Sequence, residues 1–213
     1  MACKSFLSIL FLFFAVANTG MGQKHPQLRF VAFDAGLNMS GIRSASEYQR
    51  QPGCFGISAG ISGNYSFSDS RSVGVSLEFS QKGAAEYIPD INTKLNYLSL
   101  PVFYLYNFKK DPGFFVLGGV YGSCLISASR RGELLNSGQN SRISENITSD
   151  FMSFDYGILL GMGMTVRLYD DFDFTVKIRG SAGFSKIKNT DESSPRNYNI
   201  GISLGYIYYI GFR

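Results

Sequence analysis

The sequence predicts an all-β fold: one eight-stranded antiparallel up-and-down transmembrane β-barrel. Three observations predict it. Apolar residues recur at every second position for about ten residues at a time, the period of a strand. The polar positions between them are mostly Gly, Ser, Thr and Asn rather than the Lys, Glu and Asp of a face turned to water. Short polar turns alternate with long loops along the chain, the layout of an outer-membrane barrel. The composition agrees: of 213 residues, 45% are hydrophobic, 15% aromatic and only 17% charged, against roughly 25% charged in soluble domains. Mean hydropathy is +0.01, because an apolar face and a small polar face cancel. The aromatic content excludes a disordered chain, and a net charge of +4 without a basic run offers nothing to nucleic acid.

The first element is an address. Lys4 precedes the apolar stretch Phe6–Ala17, broken only by Ser8. A stretch of this length falls short of the roughly 20 residues of a membrane-crossing helix. Gly20-Met21-Gly22 then supplies a small-x-small cleavage pattern, so residues 1–22 read as a signal peptide cut before Gln23, with a cut after Ala17 as the alternative. Residues 23–213 then form the barrel domain. They hold no apolar run long enough for a helix, so entry into a membrane requires a closed barrel.

Eight alternating segments follow, near 28–39, 54–67, 71–82, 94–108, 113–128, 152–169, 171–186 and 196–213. The second alternates Phe55, Ile57, Ala59, Ile61, Gly63 and Tyr65 with Gly, Ser and Asn. The seventh sets Phe172, Phe174, Val176 and Ile178 against Asp173, Thr175, Lys177 and Arg179. The eighth carries Tyr198, Ile200, Ile202, Leu204, Tyr206, Tyr208, Ile210 and Phe212 on one face. The fourth contains Pro101, which lacks a backbone donor and predicts a local break in pairing. In the fifth, Phe114 to Val120 is apolar at both parities, so its faces stay unassigned. Turns at 68–70, 109–112 and 169–171 define one rim; loops near 40–53, 83–93, 129–151 and 187–195 define the other. Both termini fall on the turn rim, which predicts four loops outside the cell and a bacterial outer-membrane location. The 129–151 loop is the longest, and its length makes it the expected contact surface. It could extend the strands or cover the mouth.

The inward parity carries the candidate site. Asp34, Glu78, Asp155, Arg167, Asp173, Lys177 and Arg179 point into the lumen. Charges in a narrow lumen must pair or meet water, so Glu78 should pair with Arg167, Lys177 or Arg179. A salt-bridge plug, a polar conduit and a catalytic carboxylate set are the three readings, and no nucleophile–base spacing accompanies the last. His25, the one histidine, precedes the first strand. No enzyme activity, cofactor or metal is therefore expected. Cys54 and Cys124 could bridge only if both turned inward near the same rim; otherwise they are small hydrophobes.

Four stretches resemble a known family. Ser80-Gln81-Lys82-Gly83-Ala84 closes the third segment. Leu95-Asn96-Tyr97-Leu98-Ser99-Leu100-Pro101 carries a Tyr-Leu-x-x-Pro strand, with Ser99 where Glu is frequent. Phe154 to Gly163 is a Gly-alternating strand, and Arg196 to Phe212 is a closing strand. Together they are similar to the PorT-like outer-membrane β-barrel proteins of Bacteroidota over nearly the whole mature chain. The resemblance implies an envelope barrel; the family's name-giving member belongs to a protein-secretion system, a role that fold alone does not transfer. The closing strand, aromatic at Phe212 and followed by Arg213, resembles the signal read by the barrel-assembly machinery. Expected partners are therefore outer-membrane lipid, that machinery during insertion, and an envelope protein. The functional alternatives are a structural or interaction barrel, a narrow channel or small-ligand binder, and a subunit of an envelope or secretion machine.

Overall fold

The computed structural model describes residues 29–43, 53–68, 70–85, 92–108, 113–136, 139–168, 172–186 and 196–210. Residues 1–22, expected as a signal peptide, and His25, Phe212 and Arg213 lie outside them. The strands are β1 (Arg29–Arg43), β2 (Cys54–Ser68), β3 (Arg71–Ala85), β4 (Asn92–Asn107), β5 (Gly113–Asn136), β6 (Gln139–Asn146), β7 (Phe154–Arg167), β8 (Phe172–Gly183) and β9 (Arg196–Ile210). All pairings are antiparallel, β4 pairs with β5, and β1 closes on β9. β1 to β5 and β7 to β9 thus form a closed eight-stranded ring. Closure leaves no strand edge bare in hydrocarbon, where each unmet backbone group costs several kcal/mol.

Alternation decides the faces. On β9 the even positions Tyr198 to Ile210 are 40–54% exposed, whereas Asn197 is 3% exposed. That apolar face would be a liability in water and is a lipid contact in a bilayer. The run Ile200 to Tyr208 covers nine residues, the length of a tilted transmembrane strand. Aromatics gather near the rims: Tyr206 and Tyr208 face outward against Phe172 at 5.1 and 5.3 Å between centroids, as a girdle requires.

β5 resolves the unassigned segment. Phe114, Val116 and Val120 face lipid, while Phe115, Leu117 and Tyr121 are buried inside. Both parities are apolar because the lumen there is filled by an apolar cluster of Phe103, Leu105, Phe115, Leu117, Tyr121 and Leu159. A bulge then intervenes: Tyr97 pairs with Leu125 and Asn96 with Ser127, leaving Ile126 as the extra residue. One inserted residue flips the inward parity from odd to even beyond it, so Ala128 is buried.

The 129–151 segment is not an irregular loop. β5 continues to Asn136 and pairs with β6 as a hairpin that extends the wall, and a one-turn 3-10 helix, Thr148–Asp150, leads into β7. Thr148 anchors that turn, accepting from the backbone N–H of Ala128 at 2.9 Å. Pro101 acts as expected. The β3–β4 register passes from Val75↔Val102 to Glu78↔Ser99 without the pairs between, whereas Pro101↔Tyr121 holds on the β5 side.

Gly119 marks a close approach. A Cβ built there would collide with the Val102 carbonyl oxygen and lie 2.7 Å from Phe103 Cα. These are backbone atoms, so β4 would have to move. We expect Gly119→Val to lower stability by about 1–3 kcal/mol, measured by urea unfolding in lipid vesicles; an unchanged midpoint would contradict the close approach.

Candidate functional site

Register brings the inward carboxylates onto one row. Asp34 pairs with Gly60, Gly60 with Glu78, Glu78 with Ser99, Ser99 with Ser123, and Ser123 with Asp155. The row therefore crosses β1, β2, β3, β4, β5 and β7. Between the acids stand only Gly or Ser, whose small side chains leave room for long cations arriving from elsewhere on the wall. Ser99 and Ser123 satisfy each other at 2.7 Å between hydroxyl oxygens.

Three cations meet three acids. Lys177 Nζ on β8 donates to Asp34 Oδ1 at 2.5 Å. Arg179, two residues along the same face, donates from Nη2 to both oxygens of Glu78. Lys82 Nζ on β3 donates to Asp155 Oδ2 at 3.1 Å. The lumen charge is thus balanced pair by pair, the condition under which buried ions are tolerated.

Asp155 is the most connected acid. Its side chain is 1% exposed, and Ser185 Oγ, Asn197 Nδ2 and Tyr121 Oη donate to it at 2.6, 3.2 and 3.4 Å. Lys82 lies over the rings of Tyr97 and Tyr121, at 5.0 and 4.7 Å from their centroids. Those π faces stabilise a desolvated ammonium. Asn197 Nδ2 also donates to Tyr97 Oη at 3.3 Å. One lysine, one aspartate and two tyrosines thereby tie β3, β4, β5 and β7 together across the lumen, with β9 joined through Asn197.

Not every inward charge joins this belt. Asp173 is buried at the turn rim, where Tyr209 Oη donates to its Oδ2 at 2.6 Å. Arg167 is its register partner and is exposed at that rim. The structure therefore splits the seven sequence candidates. Asp34, Glu78, Asp155, Lys177 and Arg179 line the mid-lumen, and Asp173 and Arg167 lie apart from them. Lys82 was absent from the candidate set, although it shares the inward parity of Glu78 and Ser80. Its place at the end of the third segment hid it. Tyr97, Tyr121, Asn197 and Ser185 carried no charge to flag them.

Apolar clusters flank the belt on both sides. Toward the loop rim lie Ile42, Ala84, Leu95, Leu125, Ala128 and Phe151. Toward the turn rim stands the cluster around Phe103 and Phe115, with Phe30, Ala32 and Ile207 opposite. A small pocket lies beside Glu78, Ser80, Lys82, Ser99, Tyr121 and Arg179. Among the described residues no group of three His, Cys, Asp or Glu side chains could hold a metal, and no disulfide joins Cys54 to Cys124. Chemically, the arrangement ties strands together across the lumen through paired charges.

A closed eight-stranded barrel with lipid-facing side chains outside and a filled lumen defines a small transmembrane barrel of the bacterial outer membrane. The chain belongs to the outer membrane protein beta-barrel domain family, which it matches over residues 21–189. Among solved structures it is similar to Neisserial surface protein A, at 15% identity, with 84% of this chain and 96% of that one covered and a TM-score of 0.49. It is also similar to OprG from Pseudomonas aeruginosa, at 12% identity, 89% and 98% coverage and a TM-score of 0.49. Ail of Yersinia pestis matches at 14% identity, 84% and 98% coverage and a TM-score of 0.45. No curated protein matches the chain.

Proposed function

We propose that this protein is a non-conducting, non-enzymatic outer-membrane barrel whose work is structural or interactive, done by the surface it presents at the loop rim. In this reading it is a PorT-like barrel of Bacteroidota, exported by a signal peptide at residues 1–22 and inserted by the barrel-assembly machinery. Its termini lie in the periplasm and its four loops outside the cell. The observation that carries the reading is the filled lumen: three neutralised ion pairs lie between apolar clusters of buried side chains. A barrel of this size is filled by its own side chains. Function then falls to the rims, and among the described residues the β5–β6 hairpin projects at the loop rim. Its partner is an envelope protein.

The test is conductance. Purified, refolded protein in a planar bilayer should give no steady single-channel openings. Reproducible unitary steps would overturn the filled-lumen reading in favour of a narrow channel. A tagged chain recovered from outer membranes with a stoichiometric envelope protein would support the interactive role and point to a subunit of a secretion or envelope machine.

A further inference from the structure

Four cations lie at the loop rim. On β4, buried Leu95 turns its neighbour Lys94 outward. Arg131 shares the outward parity on β5, two residues beyond Ser129, the register partner of Lys94. On β9, buried Asn197 turns Arg196 outward, and Lys186 is exposed just past the end of β8, the strand that pairs with β9. Arg131, Lys186 and Arg196 are exposed and Lys94 is half-buried. They form two dyads, Lys94 with Arg131 and Lys186 with Arg196, on different sides of the ring.

Two features set these cations apart. The first is pairing. Lys82, Lys177 and Arg179 each meet a carboxylate, whereas none of the four rim cations has an ion pair among the described residues. The second is depth. Row by row up the outer wall, Phe79, Leu98 and Cys124 are followed by a polar ladder in which Gln81 donates to Asn96 at 3.1 Å and Asn96 to Ser127 at 2.9 Å. That ladder marks the edge of the apolar band. Lys94 lies four residues above Leu98, and Arg196 lies four residues above Ile200, about 13 Å of strand in each case. Lys94 and Arg196 thus each stand above the apolar band of their own strand, toward the level of lipid headgroups. Between them on the outer wall sit the aromatics Phe154, Tyr156 and Phe184, with neighbouring ring centroids 6.3 and 6.5 Å apart.

We propose that the two dyads bind the phosphate groups of anionic lipid headgroups, with the acyl chains lying on the apolar wall below. A basic residue at an anionic membrane surface gains about 1 kcal/mol, or about fivefold in affinity per cation and about 25-fold per dyad. Which leaflet supplies the lipid rests on the orientation proposed above; the binding itself does not.

Native mass spectrometry of the full refolded chain in detergent micelles tests this, using bis-phosphorylated lipid A, the same lipid dephosphorylated, and inorganic phosphate. The phosphorylated lipid should stay bound to the wild type. Lys94→Ser/Arg131→Ser and Lys186→Ser/Arg196→Ser should each weaken it about 25-fold. Lys94→Arg/Arg131→Lys should retain it, and so should Arg71→Ser, which removes an exposed cation at the opposite rim. Folding of each variant is checked by its heat-dependent gel shift, and the charge-conserving variant stands in if a dyad deletion fails to fold. Equal retention of the dephosphorylated lipid, wild-type retention by both dyad deletions, or displacement of the lipid by equimolar inorganic phosphate would overturn the proposal. Because this assay ignores conductance, its failure leaves the filled lumen standing, and a channel result leaves the lipid site standing.

Discussion

Deleting residues 205–213 should abolish insertion into the outer membrane. Gly205 to Ile210 pair with six residues of β1, Asp34 back to Arg29, and with four residues of β8, Thr175 back to Phe172. Their removal leaves two strand edges facing hydrocarbon, where unpaired backbone groups cannot find water. It also removes Ile207 from the apolar layer that it shares with Phe30 and Ala32, and the Tyr209 hydroxyl that bonds Asp173. These losses fall on the same end of the barrel and add to many kcal/mol, more than a marginally stable chain can absorb. Membrane fractionation with the heat-dependent gel shift reads the outcome: the truncated chain should be found soluble, aggregated or degraded. Its recovery as a folded outer-membrane species would mean that the ring can close without the lower half of β9.

The outward wall was legible in the sequence because lipid imposes a simple demand. Every second residue from Tyr198 to Ile210, or from Phe55 to Tyr65, had to be apolar or small, and nothing in the lumen interfered with that pattern. β5 was illegible for the opposite reason. Its inward residues Phe115, Leu117 and Tyr121 serve an apolar plug, so both faces look alike, and the bulge at Ile126 then shifts the parity. β6 was missed because its residues do not alternate between apolar and polar. Its sequence, Gln139 to Asn146, pairs with β5 through the backbone, and backbone pairing leaves no mark on side-chain choice.

The lumen was legible in part. Parity alone put Asp34, Glu78 and Asp155 inside. It could not say that Glu78 meets Arg179 rather than Lys177, because those two cations share a face and differ by one step along it. The stagger of the strands decides between them, and stagger is a property of the whole ring. The pair Lys82–Asp155 spans 73 residues of chain, so no local spacing announces it.

That pair should also be the costliest single contact to break. Asp155→Ala removes the only carboxylate that Lys82 meets among the described residues, while the ammonium stays 4% exposed. The Ser185, Asn197 and Tyr121 donors lose the same acceptor. Breaking one side of a buried ion pair costs about 3–5 kcal/mol, because the surviving charge is left uncompensated. Urea unfolding in lipid vesicles should therefore show a midpoint well below wild type, with an unchanged slope. Replacing both partners, Lys82→Met with Asp155→Leu, removes the stranded charge and should recover a large part of that loss. The double-mutant cycle then yields a coupling of about 0.5–3 kcal/mol. A loss below about 1 kcal/mol for Asp155→Ala would be the value of a solvated surface pair. Water would then reach the middle of the lumen, and the filled-lumen reading would fall with the contact. A large loss that the double variant also recovers leaves the opposite conclusion: these charges hold the wall together because no solvent is there to take their place.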